Sequence, residues 1–279
     1  MIQYIFLYFL LLVACVPIKD RLPTQPLHKQ GDATRIQITT LNILSTADLQ
    51  ALPKKYRPWH LRRSEVLRVL RANNSDFLAV QESSQQQLEF LEISLNDTYD
   101  VIDYRAHTSD AVLFYAKDRY ELIEQGYRLL EPLNRILIPR LLIWGSFRHI
   151  VTGKEMFVAS LHLDAKKIKI GEAKKVARFV RDFIAQGIPV FVAGDFNIDP
   201  KEPEYPYLLV SGLINSNHIV AKEFNTFPSR NPIRRIDHIL YAGEGVKSFH
   251  WQIYEEETVQ HYSDHKAVVA EFYLQKLEE

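Results

Sequence analysis

Polar residues that can bind a cation or transfer a proton follow short apolar runs at six places in the chain. They are Leu41-Asn42, Gln81-Glu82, Ser160–Asp164, Gly194–Asn197, Arg235–Ile239 and Tyr262–His265. An unpaired charge at the end of a buried strand is costly, so such residues are expected there when they are paired or take part in chemistry. Carboxylate oxygens suit a hard divalent cation, and an imidazole exchanges a proton near neutral pH. The six places together indicate a catalytic cleft.

Glu82 and Asn42 are the first candidates for a cation site. Glu82 follows a run of apolar residues, which would present its carboxylate at the edge of a sheet. It could also place negative charge at the N-terminus of the helical segment that begins at Ser83. Asn42 ends a strand in the same way and fits a turn residue equally well. The residues alone leave these alternatives open.

The segment Gly194–Asn197 carries an acid and an amide two positions apart. Asp195 and Asn197 can therefore point to the same side, where they could orient a water molecule and donate to a phosphoryl oxygen. Gly194 is expected to let the chain turn tightly after the strand. The alternative is an Asp-Asn turn that stops at Pro200.

Two histidines stand at the ends of apolar strands. His265 follows Asp264 and precedes an apolar strand, and His162 closes an apolar run in the same manner. An imidazole in such a place can take a proton from water, provided that a carboxylate fixes its tautomer. His238 is interpreted as an ordinary strand residue.

The six segments, in this order, resemble the endonuclease/exonuclease/phosphatase superfamily, which includes deoxyribonucleases, abasic-site endonucleases, inositol polyphosphate 5-phosphatases and bacterial sphingomyelinases. The resemblance extends from about Ile36 to Phe272. Each short segment is weakly specific by itself, whereas the ordered series is specific. The resemblance implies a four-layer sandwich of two packed mixed β-sheets, with helices on the outer faces and the site at one end.

The same resemblance implies a role for each candidate residue. Glu82 would be the principal Mg²⁺ ligand, with Mn²⁺ as a substitute, and Asn42 would belong to the metal or phosphate shell. Asp264 would bind or orient the metal, and Asn197 would contact phosphate. The implied catalytic residues are His265 as the base, Asp237 as its partner, Asp195 for proton transfer or water positioning, and His162 on the phosphate or leaving-group side. The number of metal ions, one or two, stays open.

Apolar periodicity predicts an α/β or α+β protein with mixed sheets. The helix that begins at Pro58 is expected to bury its apolar residues, Leu61 included, and to turn its arginines, Arg62 included, to solvent. A hairpin turn is predicted at Thr152-Gly153-Lys154. The other predicted helices are 85–95 and 171–185, and the predicted strands are 36–41, 77–80, 100–104, 111–115, 141–148, 156–163, 190–193, 236–241, 246–253 and 267–274.

The bulk composition fits one large domain. The 279 residues contain 34 Lys plus Arg and 34 Asp plus Glu, with no break in composition. A balanced charge argues against a protein held on nucleic acid by phosphate contacts alone. We predict that residues 35–279 form the domain that carries the six segments.

The N-terminus resembles a bacterial lipoprotein signal that covers residues 1–15. Its apolar run ends in Leu12-Val13-Ala14-Cys15 and is too short to span a membrane, so Cys15 is the expected lipid acceptor. The start, Met1 to Tyr4, lacks the usual Lys or Arg, so an uncleaved anchor or a misassigned start is the alternative. Residues 16–34 would form a flexible tether. The expected location is the cell envelope, on the outer-membrane or periplasmic side of a Gram-negative cell, and not the cytoplasm.

These observations and the resemblance lead to one expected activity. We expect a monomeric, Mg²⁺-dependent phosphodiesterase with nuclease-like activity, in which His265 activates a water molecule for attack on phosphorus. The expected substrate is nucleic acid or a phospholipid headgroup. The alternatives are a sphingomyelinase-like or phosphoinositide-phosphatase-like hydrolase, and a non-catalytic envelope lipoprotein on the same fold.

Overall fold

The structure is a computed structural model, and it describes residues 33–46, 56–104, 111–130, 140–165, 169–222, 224–254 and 262–275. The chain from Ala33 to Glu279 forms one compact unit. The predicted signal, Cys15 and nearly all of the predicted tether lie outside the described residues. Within the described ranges, no helix is long and apolar enough to cross a membrane.

The described residues contain twelve strands and four α-helices. The helices are α1 (Trp59–Arg71), α2 (Gln85–Leu95), α3 (Lys169–Ala185) and α4 (Pro206–Leu209). The strands are β1 (Thr34–Asn42), β2 (Phe77–Gln81), β3 (Tyr99–Ile102), β4 (Ala111–Ala116), β5 (Tyr120–Leu129), β6 (Leu141–His149), β7 (Glu155–His162), β8 (Val190–Asp195), β9 (Ile214–Asn215), β10 (Asp237–Ala242), β11 (Val246–Ile253) and β12 (Val268–Leu274).

The strands form two six-stranded sheets with the same arrangement. The first sheet has the order β11-β12-β1-β2-β4-β3, and the second has the order β5-β6-β7-β8-β10-β9. In each sheet the two central strands are parallel, β1 with β2 and β7 with β8, and the flanking pairs are antiparallel. The carboxyl ends of a parallel pair meet at one edge of a sheet. Each sheet therefore brings two strand ends together at its centre.

The two sheets pack face to face over a shared apolar core, and helices cover them. Met156 and Val158 of β7 belong to the core between the sheets, whereas Phe157 and Ala159 belong to the core under α3. This alternation follows from the two-residue period of a strand. Side chains from α1 and α2 extend the core of the first sheet. The protein is an α/β sandwich of two packed mixed sheets, as predicted.

Most predicted elements are present, and the differences have physical causes. β5 was missed because its outward face carries Glu121, Glu124 and Arg128, which hide the strand pattern. The predicted orientation of α1 is wrong at two positions: Leu61 is 54% exposed, and Arg62 is 1% exposed. Backbone carbonyl oxygens accept hydrogen bonds from the Arg62 guanidinium, so this buried charge has hydrogen-bond partners.

Candidate active site

Three of the predicted catalytic residues are neighbours across the second sheet. His162 is paired with Asp195 in the parallel register of β7 and β8, and Asp195 is paired with Asp237 in the antiparallel register of β8 and β10. Alternation along these strands turns all three side chains toward the first sheet. Each side chain is at most 5% exposed. Strand register alone thus assembles this half of the cleft.

Asn42 connects the first sheet to the second. Its amide nitrogen donates to Glu82 Oε1 at 3.0 Å and to Asp195 Oδ2 at 3.1 Å. Its amide oxygen accepts a hydrogen bond from the backbone N–H of Leu44 at 3.0 Å, which fixes the orientation of the amide. Asn42 therefore presents its NH₂ group, and not its oxygen, to the two carboxylates.

Glu82 lies directly after β2 in an unusual backbone conformation. Its φ is 59°, a region that non-glycine residues seldom occupy and that is often found at functional sites. One carboxylate oxygen accepts from Asn42, and the other accepts from the backbone N–H of Ser45 at 2.9 Å. The side chain is half-buried, so the carboxylate is held in place and still reaches the cleft.

The Gly194–Asn197 segment places Asp195 and Asn197 beside His162, and the role of its glycine differs from the prediction. Gly194 lies inside β8 and not in a turn, and a Cβ atom there would sit 2.0 Å from the carbonyl oxygen of Leu161. Close approach of β7 and β8 is therefore the reason for a glycine. Asp195 Oδ1 accepts from the backbone N–H of Asn197 at 2.9 Å, and Asn197 has a φ of 51°. The left-handed turn occurs at Asn197.

His265 and Asp237 form a buried pair. His265 Nδ1 lies 3.1 and 3.0 Å from the two carboxylate oxygens of Asp237, and its Nε2 lies 3.6 Å from Asp195 Oδ2. Burial lowers the pKa of His265, but the charges of Asp237, Asp195 and Asp264 outweigh this effect and raise the pKa to about 10. Without a bound cation, His265 is thus an imidazolium at neutral pH.

His162 has its hydrogen-bonding roles set by an arginine. Arg140 Nη1 lies 2.9 Å from His162 Nδ1. Because a guanidinium only donates, Nδ1 must accept, and the proton of the neutral ring must be on Nε2. His162 Nε2 lies 3.5 Å from Asp195 Oδ2 and 3.2 Å from the Asn197 amide nitrogen. The His162 Nε2–H and the Asn197 NH₂ group therefore lie side by side next to Asp195.

Arg140 was missed in the sequence. It directly precedes β6, just as His265 lies just before β12 in the matching position of the first sheet. The rule that identified His265, a polar residue at the mouth of an apolar strand, could have identified Arg140. The predicted strand, residues 141–148, already placed Arg140 at such a position.

The structure separates His238 from the site. Its neighbour Asp237 points toward the first sheet, so His238 points to the opposite face. There it is bonded to Asn215 and to the carbonyl oxygen of Ile198, both at 2.9 Å, and burial lowers its pKa to about 4. His238 is a neutral core residue, in agreement with its interpretation from the sequence.

Among the described residues, those that could hold a divalent cation fall into two groups. Ligand atoms of Asp195, Asp237 and His265 lie within 4.8 Å of one another. In this group His265 Nδ1 already lies at hydrogen-bond distance from the Asp237 carboxylate. The second group is Glu82 with Asp264. Burial raises the pKa of Asp264; nearby His265 opposes this rise, and the charges of Glu82 and Asp195 add to it. Such repulsion between oxygen ligands fits a hard divalent cation.

The fold and this cleft define a two-sheet sandwich with an acidic, histidine-containing site at its strand ends. The chain belongs to the Endonuclease/Exonuclease/phosphatase family, whose sequence model matches residues 39–265. Members of this family are hydrolases that act on phosphoesters and generally depend on a divalent metal.

Relatives with more specific names are distant. Nocturnin of Drosophila melanogaster is 27% identical in an alignment that covers 58% of this chain, and the chain spans 28% of the length of that protein. A mannosyl-6-phosphatase structure from Bacteroides thetaiotaomicron has a TM-score of 0.72 and 22% identity, and the match covers 85% of this chain and 99% of that one. A D. rerio TDP2 structure with a single-strand DNA product has a TM-score of 0.67 and 17% identity, covering 86% and 99%. At these identities the two structures establish a shared fold.

Proposed function

We propose that the protein is a Mg²⁺-dependent phosphoesterase that cleaves phosphodiester bonds in the manner of a nuclease. The observation that carries the proposal is the Asp237–His265 pair, whose remaining ring nitrogen faces Asp195. A carboxylate that orients an imidazole, with a second carboxylate on its other side, is suited to move the proton of an attacking water. This arrangement favours an enzyme over a non-catalytic lipoprotein, because a binding scaffold has no need of a buried charged pair.

Glu82 and Asp264 are the residues that would hold the cation. Asn42 would orient Glu82 through its amide NH₂, which lies 3.0 Å from Glu82 Oε1. When bound, Mg²⁺, or Mn²⁺ in its place, would supply positive charge that compensates these carboxylates and the developing charge on the substrate. The assignment of Asn42 to the metal or phosphate shell stays a prediction, as does the number of ions.

His265 is the proposed base, and it can act as a base only when its ring is neutral. An imidazolium cannot accept a proton, and the carboxylates around His265 hold its pKa at about 10. His265 therefore acts as a base when the charge of those carboxylates is compensated. Asp237 keeps the ring in one tautomer and stabilises the imidazolium that forms. Asp195 orients the water or receives its proton.

His162 and Asn197 are the proposed phosphate-binding residues. The His162 Nε2–H and the Asn197 NH₂ group lie 3.2 Å apart, and Arg140 holds the histidine in the donor form. Two neighbouring donors in a buried site stabilise charge that develops on a phosphoryl oxygen. Asn197 Nδ2 also donates to the carbonyl oxygen of Leu163 at 2.9 Å, which fixes its position before substrate binds.

The substrate is the open part of the proposal. The D. rerio TDP2 structure with a DNA product supports a nucleic-acid diester, and the mannosyl-6-phosphatase supports a sugar phosphomonoester as the second candidate. We keep the diester as the first choice, with a phospholipid headgroup diester as the variant that an envelope location would favour. A monoesterase would need the same base and the same phosphate contacts.

The test is hydrolysis of bis-p-nitrophenyl phosphate, single-stranded DNA, sphingomyelin and mannose 6-phosphate by the purified chain, with Mg²⁺ or with EDTA. His265→Ala is the inactive variant, and His60→Ala, an exposed histidine of α1, is the matched control. Diester hydrolysis that needs both Mg²⁺ and His265 supports the proposal. Hydrolysis of mannose 6-phosphate alone selects the monoesterase, and no hydrolysis of any substrate rejects the function.

We also propose that the protein is anchored in the cell envelope through a lipid on Cys15. Support for this comes from residues 1–15 of the sequence alone. Expression of the full chain and of Cys15→Ser in bacteria, followed by separation of membrane and soluble fractions, tests it. Loss of membrane association in Cys15→Ser is the expected result, and equal membrane association would contradict lipidation.

A further inference from the structure

Arg62 is a buried cation on α1 whose described hydrogen bonds all go to the backbone. Its side chain donates to the carbonyl oxygens of Ile43, Leu44 and Tyr262, the last at 2.9 Å. These carbonyls belong to the loop after β1 and to the segment before β12, so one guanidinium connects both. Burial lowers the pKa of Arg62 to about 10, and the charges of Asp264 and Glu82 act against that shift. It remains charged at neutral pH.

The carbonyls of Ile43 and Leu44 belong to peptide groups whose N–H groups contact the candidate cation site. The peptide between Ile43 and Leu44 gives its C=O to Arg62 and its N–H to Asn42 Oδ1 at 3.0 Å. The next peptide gives its C=O to Arg62 and its N–H, on Ser45, to Glu82 Oε2 at 2.9 Å. In a planar trans peptide the C=O and N–H point in opposite directions. Holding both carbonyls therefore aims both N–H groups at the site.

Arg62 supports the strained loop together with Gln87, whose Nε2 also donates to the carbonyl oxygen of Leu44 at 3.0 Å. Leu44 has a φ of 58°, a left-handed conformation that costs energy for a leucine. Strain of this kind persists only where surrounding contacts impose it. If Arg62 released these carbonyls, the Ile43–Leu44 peptide could rotate, and Gln87 alone would hold the next peptide. The N–H groups that orient Asn42 and Glu82 would then be held less firmly.

We propose that Arg62 is a positioning residue that fixes Asn42 and Glu82 through two intervening peptide groups and so preorganises the cation site. The inference rests on the proposed function only in taking Glu82 as a cation ligand. Arg62 is 1% exposed and donates to backbone carbonyl oxygens, so it acts through the backbone. Arg62 also donates to the carbonyl oxygen of Tyr262, two residues before Asp264. The same side chain therefore helps to position Asp264, the second candidate ligand.

The test compares Arg62→Lys and Arg62→Met with Arg63→Met, which removes the exposed neighbouring arginine of the same helix. Lysine keeps the charge but lacks the planar fork that reaches several acceptors at once. The first measurement is Mn²⁺ affinity without substrate, from the electron paramagnetic resonance signal of free Mn²⁺. We expect Arg62→Lys to bind Mn²⁺ about 10- to 100-fold more weakly, the usual effect of losing an outer-shell partner, and Arg63→Met to match the parent chain.

The second measurement is hydrogen exchange of the Leu44 and Ser45 amides in EDTA, where the result does not depend on any cation or activity. Arg62→Lys should exchange both amides faster while protection elsewhere in the sheets is kept. If Arg62→Met does not fold, Arg62→Lys decides the question. Unchanged amide protection in a folded Arg62→Lys overturns the inference. If the parent chain itself does not bind Mn²⁺, the proposed function fails, and the exchange result still decides the positioning role.

Discussion

His265 and Asp237 approach each other from different sheets. His265 precedes β12 in the first sheet, Asp237 begins β10 in the second, and His265 Nδ1 lies 3.0 Å from Asp237 Oδ2. The pair therefore forms only when the two sheets pack in register. Chemistry at His265 is in this way coupled to the packing of the whole sandwich, because neither sheet alone contains both partners.

Asp237→Asn tests the orienting role of this pair. The amide keeps the shape of the carboxylate, but it removes the charge and can present an NH₂ group to Nδ1, which favours the wrong tautomer. We expect the turnover number on bis-p-nitrophenyl phosphate to fall by at least about 100-fold, the scale of losing positioned acid–base catalysis. Steady-state kinetics measure the change, and circular dichroism checks the fold. A turnover number within threefold of the parent value would remove Asp237 from the mechanism.

The raised pKa of His265 predicts how the stability of the cation-free protein depends on pH. The folded chain holds this proton up to a pH of about 10, whereas the unfolded chain releases it near about 6.5. Folding then favours the protonated ring, so the stability due to His265 is fully present below about pH 6.5 and is lost as the pH rises through about 10. Urea unfolding in EDTA at several pH values should show this loss in the parent chain and a smaller one in His265→Gln. Equal pH dependence in both would contradict the assignment.

A divalent cation should stabilise the folded protein through Glu82 and Asp264. A ligand at a concentration 100 times its dissociation constant adds about 2.7 kcal/mol, which for a domain of this size raises the melting temperature by about 5 to 10 °C. Thermal unfolding with Mg²⁺ and with EDTA measures the shift. Glu82→Gln and Asp264→Asn should lose most of it, whereas Glu89→Gln, on the exposed side of α2, should keep it. Retention of the full shift in both site variants would place the cation elsewhere.

The sequence predicted the strands that carry the site better than the contacts within it. Asn42, Glu82, Asp195 and His265 were selected as candidates because polar residues are unexpected at the ends of buried strands, and strand ends can be predicted from apolar periodicity. The orientation of the Asn42 amide was not readable, because the N–H of Leu44 in a left-handed conformation determines it. That conformation depends on contacts between segments far apart in the sequence.

Arg62 shows why the helix pattern failed at one point. Periodicity treats every arginine of α1 as solvent-facing, which is correct for Arg63 and Arg68 and wrong for Arg62. A buried guanidinium is tolerated when carbonyl oxygens surround it, and those carbonyls come from residues 43, 44 and 262. The sequence of the helix alone cannot predict hydrogen-bond acceptors that two distant segments contribute.

Gly194→Ala tests the requirement for close approach of β7 and β8. The added methyl group would lie 2.0 Å from the carbonyl oxygen of Leu161, so the two strands that carry His162 and Asp195 must move apart. We expect a loss of about 3 kcal/mol or more in the free energy of unfolding, the upper range for a steric clash in a core. Gly171→Ala is the control, since a Cβ there meets nothing within 4 Å. Urea unfolding compares them, and equal stability of the two variants would disprove the steric argument.

Arg140→Met tests whether His162 works as a fixed donor. Arg140 is bonded to His162 Nδ1 at 2.9 Å, and without it the ring can place its proton on either nitrogen. The ring could then point a lone pair at the substrate and would no longer be held in one orientation, so the turnover number should fall about 10- to 100-fold, as for other orienting partners. Arg148→Met is the matched control, because Arg148 lies near the far end of β6, the strand that Arg140 precedes, and pairs with the exposed Glu121 and Glu155. Kinetics on bis-p-nitrophenyl phosphate separate the two cases: equal rates for both variants would show that the tautomer of His162 does not limit the reaction.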